Sequence, residues 1–218
     1  LVKRYGDELN VVSIVGGFPH VQFNATRPPF NNPNVRKALY LWWDRQEFLD
    51  KAGEGAGWLG EWLNPAYFKA STGGGYGTPA ETLFKNNLAY RPDKTEARKR
   101  AQEILAEEGL TDLSKVKVDV VIATTSGRDF KSGQVLAAQL RKLGFDVNLQ
   151  AMERVAGFKA HKAGEFDILS RGGVAPFPAP DGMLNRYLGP KGTRNYTGVE
   201  DPVYEKMLVE LNSTIDPS

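Results

Sequence analysis

The segment after residue 170 carries the residue types most suited to ligand binding. It has an arginine, two glycines and a proline-rich continuation, in the order Arg171-Gly172-Gly173-Val174-Ala175-Pro176-Phe177-Pro178-Ala179-Pro180. A strand is predicted at residues 166–169, and open α/β sheets bind ligands at the carboxyl ends of their strands. The glycines let a ligand approach the backbone, and the guanidinium of Arg171 could hold an anion. A solvated Arg171, or one that contacts another part of the protein, fits the sequence equally well.

Hydroxyl groups and tryptophans form two weaker candidate sites. Ser126 lies in Thr124-Thr125-Ser126-Gly127-Arg128, between a predicted strand and a predicted helix, where the helix N-terminus could accept an anion. Capping of that helix by Ser126 or Thr125 is the simpler interpretation. Trp58 and Trp62 could stack on a sugar or an aromatic ligand, but the glycine-rich segment around them also needs such side chains as anchors.

The remaining polar residues argue against catalysis and against a metal site. His20 and His161 are the only histidines and are far apart in the sequence, so each is expected to be a surface or strand residue rather than a metal ligand. The glycines at 73–77 lack the Lys-Ser/Thr pair of a phosphate loop. Adjacent carboxylates such as Glu107 and Glu108 are explained by solvation. We therefore expect no catalytic residue, no metal and no cofactor.

Composition restricts the class of protein further. Lys and Arg number 28 against 26 Asp and Glu among 218 residues, so the chain lacks the basic field of a nucleic-acid-binding protein. No apolar run approaches the roughly 20 residues that span a bilayer. The absence of cysteine excludes disulfides and thiol chemistry. One domain with a sizeable core is expected at this length, with room for a second small one.

The clearest local pattern lies between residues 20 and 52. A strand-like alternation at 20–25 is followed by Pro28-Pro29, which should hold the backbone extended. Asn32 and Pro33 have the form of a helix start, and the inward face of that helix is predicted to carry Val35, Ala38, Leu39 and Trp42. Asp44 and Glu47 have the spacing of a capping box and predict a second helix with Phe48 and Leu49 inward.

The second half alternates strands and helices. Residues 116–123 and 145–151 read as strands, and the helix between them places Leu136, Leu140 and Leu143 on one face. Such a unit predicts parallel strands joined by a right-handed crossover. Before it, Asp93 and Glu96 suggest another capping box for a helix that Gly109 ends. A helix at 155–162, the strand at 166–169 and helices at 181–188 and 202–211 complete the prediction, and a further strand is predicted at 11–15.

The order of these parts resembles the family 5 extracellular solute-binding proteins of ABC transporters. The resemblance rests on several motifs that are each weak but occur in the family's order: residues 22–45, Tyr90-Arg91-Pro92-Asp93 with its helix, residues 139–147, Phe166-Asp167-Ile168 with Gly172-Gly173, and Pro180-Asp181-Gly182. It implies an α/β fold in which helices flank a mixed β-sheet, as one lobe of a two-lobed type II periplasmic-binding-protein-like fold. Residues 1–218 would be the second, C-terminal lobe, with 53–92 as a long irregular wrap and the first lobe absent.

The resemblance also implies a function. The intact protein would capture a peptide-like solute, an oligosaccharide or a chelate between two lobes and deliver it to a membrane permease, without catalysis. We expect a monomer in the periplasm or outside the cell, with the option of a lipid anchor, and no nucleic-acid partner. A carbohydrate-active hydrolase and a sensory or interaction domain are the alternatives.

In peptide-binding relatives, a Trp and an amine-pairing Asp occupy the places where this chain has Val174 and, near it, Phe177. An ordinary free peptide is therefore a doubtful ligand. The family's most recognisable arginines match Arg36 and Arg45, which we interpret as structural, tying helix ends to neighbouring backbone.

Overall fold

A computed structural model describes residues 18–53, 85–125, 127–173 and 180–213. In chain order its strands and helices are β1 (Phe18–Phe23), α1 (Pro33–Trp42), α2 (Arg45–Ala52), α3 (Thr95–Glu107), β2 (Lys117–Ile122), α4 (Gly127–Leu143), β3 (Asp146–Ala151), α5 (Arg154–Ala163), β4 (Ile168–Gly173), α6 (Pro180–Tyr187) and α7 (Pro202–Ser213). Short 3₁₀ turns lie at Leu88–Tyr90 and Leu113–Lys115. Among the described residues, no helix is both long and apolar enough to cross a membrane.

The described strands form one mixed sheet in the order β1-β4-β2-β3. Strand β2 pairs in parallel with β3 and with β4, which confirms the parallel pairing predicted for the strand-helix-strand unit. Strand β1 pairs antiparallel with β4, and His20 lies opposite Arg171. The predicted strand at 166–169 is displaced, because β4 starts at Ile168 and continues to Gly173. Arg171 therefore lies within the strand and not in a loop that follows it.

Helices cover both faces of the sheet, as predicted. Side chains alternate along β2, so Val118 and Val120 join one core cluster while Val121 joins another. The first cluster contains Leu136 and Leu140 of α4, together with side chains of α1 and α3. The second contains Ala160 of α5 with Phe166 and Leu169. Helices α4 and α5 thus lie on opposite faces of the sheet.

The start of α1 follows the sequence prediction. The Asn32 side chain accepts a hydrogen bond from the Asn34 amide at 2.8 Å, and Pro33 occupies the first helical turn. The four side chains predicted to face inward are all buried, and Trp42 donates to the Gln139 carbonyl. The segment before α1 turns repeatedly instead of staying extended through Pro28-Pro29, which is joined by a cis peptide bond.

The capping box at α2 is completed by a distant residue. Asp44 Oδ1 accepts from the Glu47 amide at 3.0 Å, as expected for the cap. The Asp44 amide, however, donates to the side chain of Gln139 on α4, which returns a bond to the Asp44 carbonyl. Glu47 instead accepts from Gln139 and Lys51. Of the two side chains predicted inward, Phe48 is buried and Leu49 is half-buried.

The capping box predicted for α3 is wrong. The helix begins at Thr95 without a side-chain cap, Asp93 accepts from the Thr95 amide, and Glu96 pairs with Arg91. Its end follows the prediction, since Gly109 has φ +79° and the Leu110 amide bonds back to the Leu105 carbonyl.

Candidate functional site

A cavity of about 250 Å³ lies at the carboxyl ends of β2 and β4. Helix α4 leaves β2 on one face of the sheet, and α5 lies on the other face, so a crevice opens beyond the last residues of β2. Open α/β sheets bind ligands at such a point of divergence. Its described lining residues come from both strands, α4, α5, α6 and the segment before α7: Ile122, Ala123, Thr124, Asp129, Arg154, Phe158, Ser170, Arg171, Gly172, Arg186, Tyr187 and Arg194.

Arg171 is the buried cation of this cavity. It lies two residues beyond Leu169, the last β4 residue paired with β2, and only 9% of it is exposed. A solvated Arg171 is therefore excluded. Burial, followed by the charge of Arg194, lowers the pKa of Arg171, although a guanidinium stays charged. Its Nη1 lies 3.5 Å from the Tyr196 hydroxyl, and its buried Nε has no hydrogen-bond partner among the described residues.

Phe158 collects three of the cavity's arginines around one aromatic ring. The guanidinium carbons of Arg171, Arg194 and Arg154 lie 4.9, 5.2 and 5.5 Å from its ring centroid. Such contacts are attractive because of the negative face of the ring, yet the ring neutralises no charge. Phe158 reaches this position because Gly157 lets α5 approach the sheet; a Cβ at Gly157 would lie 2.5 Å from Ala123 Cα.

Arg194 and Tyr196 are held in place by Gln22 of β1. The Gln22 amide nitrogen donates to the Arg194 carbonyl at 3.0 Å, and its oxygen accepts from the Tyr196 amide at 3.1 Å. A side chain of the sheet therefore fixes the backbone of a segment that has no regular structure of its own at these residues. This arrangement places both side chains over the same end of β4 as Arg171.

The carboxylate of Asp129 and the hydroxyl of Ser170 are also among the described groups that line the cavity. Asp129, in the first turn of α4, lies so close to Gly172 that a Cβ there would meet Asp129 Oδ1 at 2.9 Å. Ser170 is completely buried, and its hydroxyl has no partner among the described residues. The sequence stretch 171–180 itself contains no carboxylate for a ligand amine, and α4 supplies one from elsewhere in the chain.

His161 lies beneath the cavity on α5 and is 1% exposed, so the expectation of a surface or strand residue is wrong for it. Its ring packs edge-on against Phe166 at 5.7 Å and tilted against Tyr196 at the same separation. Nε2 lies 3.3 Å from the Val121 carbonyl. Burial lowers the pKa of His161 to about 4, so the ring is neutral near pH 7. His161 supports the residues that line the cavity and is not among them.

The described lining suits the binding of an oxyanion. It holds four arginines and a single carboxylate, and lacks the paired carboxylates of a glycosidase. In the part of the chain that the structure describes, no three His, Cys, Asp or Glu side chains are grouped to hold a metal ion. Guanidinium groups offer the paired N–H donors that carboxylates and phosphates accept.

Of the residues predicted from the sequence to bind ligand, Arg171 and Gly172 line the cavity, and Gly173 follows them in β4. Val174, Phe177, Trp58, Trp62 and Ser126 lie outside the described residues, as do the strand predicted at 11–15 and most of the wrap at 53–92. Arg36 and Arg45 have the structural role predicted for them: Arg36 donates to the Phe30 carbonyl at 2.6 Å and Arg45 to the Ala89 carbonyl at 2.8 Å.

The sequence analysis missed most of the cavity's charge. Arg154, Arg186 and Arg194 lie on three separate segments and share no local motif. The only usable signal was for Asp129, because a residue in the first turn of a helix that follows a strand is expected near the carboxyl end of the sheet.

The chain matches a known protein family over a range that includes every described residue of the cavity lining. Residues 4–195 match the family described as bacterial extracellular solute-binding proteins, family 5 Middle. The oligopeptide-binding protein OppA of Bacillus subtilis is 27% identical over 219 residues, which cover 99% of this chain and 37% of that protein. The nickel-binding protein NikA of Staphylococcus aureus is 25% identical over 157 residues, covering 65% of this chain and 30% of that protein. The chain therefore spans less than two-fifths of the length of these relatives.

Solved structures agree on the fold. Haemophilus influenzae OppA, in complex with the peptide RPPGFSPFR, superposes with a TM-score of 0.77 at 22% identity, covering 99% of this chain and 40% of that one. A periplasmic binding protein, AgaA, in complex with agropinic acid gives a TM-score of 0.66 at 23% identity over 93% of this chain and 38% of that one. With the match to the family over residues 4–195, the conclusion is that this chain belongs to the bacterial extracellular solute-binding proteins of family 5.

Proposed function

We propose that this chain is the ligand-binding second lobe of a substrate-binding protein that serves an ABC importer. The observation that carries the proposal is the cavity at the carboxyl ends of β2 and β4, where buried Arg171 keeps a hydrogen-bond donor without a described partner. A buried donor of this kind costs free energy unless a ligand or water accepts from it. A solute with an anionic group would satisfy it, and the adjacent Asp129 would accept from a ligand amine or hydroxyl.

The lobe would supply one wall of a cleft whose other wall belongs to the rest of the protein. The matched relatives are more than twice as long as this chain, which leaves room for a second lobe. Closure of two lobes over a solute would then present the closed form to a membrane permease, and the solute's preference for the closed form would set the population shift. Residues 1–218 alone should therefore bind far more weakly than the intact protein.

The protein would act in the periplasm or outside the cell, with or without a lipid anchor, as a monomer that carries out no catalysis and binds no nucleic acid. Relatives named as periplasmic oligopeptide-binding proteins, from Haemophilus influenzae and Escherichia coli, support this location. Peptide-like solutes, oligosaccharides and chelates all stay candidates. Arg171 and Gly172 are proposed contacts on the geometry above, while Gly173, Val174, Phe177, Trp58, Trp62 and Ser126 stay predictions from the sequence.

A parallel thermal-shift screen of the intact protein and of this chain tests the proposal. The probes are short peptides, oligosaccharides, opine-like anions and nickel chelates. A ligand at a hundred times its Kd stabilises by about 2.7 kcal/mol, which raises the Tm measurably. We expect one class to stabilise the intact protein strongly and the isolated chain weakly, and Arg171→Gln to reduce the effect. Equal affinity of both forms would contradict a cleft shared between lobes, and silence towards every class would contradict solute binding.

A further inference from the structure

We propose that the cavity binds a solute that carries at least two negative charges on carboxylate or phosphate oxygens, with Arg171 and Arg194 as its principal contacts and Arg154 and Arg186 at the margins. The proposal rests on the proposed function, because it specifies the solute that the same cavity would capture. Peptides, sugars and chelates without two such charges would be poor ligands.

Positive charge is concentrated in the cavity. Among the described residues, four arginines and one aspartate line the cavity, which gives this part of the lining a formal excess of three positive charges around a volume of about 250 Å³. The whole chain has a net charge of only +2, so the cavity does not reflect a generally basic protein. A ligand with one carboxylate would leave most of that excess in place, whereas a dianion or trianion would neutralise it.

The cavity arginines also lack good hydrogen-bond acceptors among the described residues. Arg171 and Arg194 approach the same neutral acceptor, the Tyr196 hydroxyl, at 3.5 and 3.4 Å, which is longer than a good hydrogen bond. The buried Nε atoms of Arg171 and Arg186 have no partner among the described residues. No ion pair joins Asp129 to any of the four arginines in the described part of the chain.

Most other arginines in the described structure have an acceptor; the exceptions are the exposed Arg128 and the buried Nε of Arg98, whose Nη2 pairs with Asp44. Those that pair with a carboxylate are Arg27, Arg91, Arg98 and Arg100. Those that donate to backbone carbonyls are Arg36, Arg45 and Arg141. A cluster that served only the fold would be expected to show the same pairing, because like charges that gather around the buried Arg171 without a counter-ion are unfavourable.

Three of these cations are nevertheless held in defined positions although no described carboxylate neutralises them. Phe158 holds three guanidinium groups around its ring, and Gln22 fixes the backbone at Arg194 with two hydrogen bonds across the sheet. Their remaining N–H donors are thus positioned before any ligand arrives. Preorganised donors of this kind favour binding, because little side-chain freedom is lost when the anion enters. Two guanidinium groups suit two carboxylates or the several oxygens of one phosphate.

Titration calorimetry of this chain and of the intact protein, at constant ionic strength, tests the proposal. The probes are phosphate, pyrophosphate, succinate and citrate, with acetate and chloride as monoanions. We expect saturable binding of at least one multivalent anion and none of the monoanions beyond the effect of salt. Preference for phosphates over carboxylates, or the reverse, then identifies the oxyanion.

Matched variants connect binding with the arginines. Arg194→Gln should weaken the binding of the multivalent anion by about tenfold or more, the loss expected for a charged hydrogen bond. Arg91→Gln removes the same charge from an exposed position that pairs with Glu96, and should leave affinity unchanged. Arg194→Lys keeps the charge and serves as the second variant if Arg194→Gln does not fold, a point that circular dichroism decides; we expect intermediate affinity from it.

Two results would overturn the proposal. One is monoanion binding as tight as that of multivalent anions, and the other is an equal loss of affinity in Arg194→Gln and Arg91→Gln. Tight binding of a neutral peptide or sugar by the intact protein, without any response to multivalent anions, would overturn this proposal while supporting solute capture. Silence towards every solute of both screens would count against both proposals.

Discussion

Two groups of cations in this chain differ in their hydrogen-bond acceptors, although both contact aromatic rings. At the helix junction, which we define as Asp44, Arg45, Ala89, Lys94 and Arg98, each cation has a polar acceptor: Arg45 and Lys94 donate to the Ala89 carbonyl at 2.8 and 2.7 Å, and Arg98 pairs with Asp44 at 3.3 Å. In the cavity, the arginines contact aromatic rings and one shared phenol. At the helix junction each cation has at least one described bond to a carbonyl or a carboxylate, although the buried Nε of Arg98 has no partner among the described residues. The side chains of the four cavity arginines have no such bond among the described residues, which fits the proposal that they bind a ligand.

The largest effect is expected from Gly157→Ala, which breaks the scaffold of the cavity and leaves the helix junction unchanged. A Cβ at this position would lie 2.5 Å from Ala123 Cα in the chain just after β2, where backbone and not a flexible side chain must move. We expect a loss of about 3 kcal/mol, at the upper end for overpacking. Chemical denaturation measures it. Ala normally favours a helix over Gly by about 1 kcal/mol, so a stabilised variant would contradict the close approach of α5.

The next largest effect is the pH dependence of stability that His161 causes beneath the cavity. The pKa of His161 is about 4 in the folded protein against 6.5 when exposed, so between these values the unfolded chain binds more protons. Stability should therefore be complete above about pH 6.5 and fall by roughly 3 kcal/mol as the pH approaches 4. Denaturation curves from pH 4 to 7 measure this, and His161→Gln should flatten the profile. An unchanged slope in that variant would exclude His161 as the cause.

Arg45→Gln tests how much a cation of the helix junction contributes to the free energy of unfolding. Its guanidinium lies 4.3 Å from the ring centroids of both Tyr40 and Tyr90, in addition to its bond with the Ala89 carbonyl. Loss of these contacts should cost about 2 kcal/mol, measured by chemical denaturation. Ligand affinity should not change, because the residue does not line the cavity. A variant as stable as the parent would show that the helix-junction cations do not stabilise the fold more than the cavity arginines do.

The smallest effect is expected from Arg194→Gln without ligand. Its side chain contacts the Phe158 ring and has one weak described hydrogen bond but repels Arg171, so the unfolding free energy should change by less than about 0.5 kcal/mol. Parallel chemical denaturation of Arg194→Gln and Arg45→Gln compares their free energies of unfolding directly. A loss as large as that of Arg45→Gln would show that the cavity arginines stabilise the fold.

Local sequence patterns predicted most elements because the signals act over a few residues. Asn32 caps α1, Asp44 caps α2 and Gly109 ends α3 through backbone groups within one helical turn. The failure at Asp93 has the same origin: Glu96 had a local alternative partner in Arg91, and a motif does not reveal which bond wins. Strand β4 was misplaced because its pairing with β1 extends it to Gly173, and pairing between distant segments leaves no periodic signal in either.

The sequence by itself determined most of the helices and strands, the alternation of buried residues, the two-faced α/β architecture and the family, since each rests on short-range periodicity or on the order of motifs. Arg171 and Gly172 were also found this way, because they follow a predicted strand. Only the tertiary structure decided that Arg154, Arg186 and Arg194 join them around one cavity with Asp129. The physical reason is that crossovers on opposite faces of the sheet bring residues far apart in the chain to one end of β2 and β4. Arginines that are far apart in the sequence thereby line one cavity.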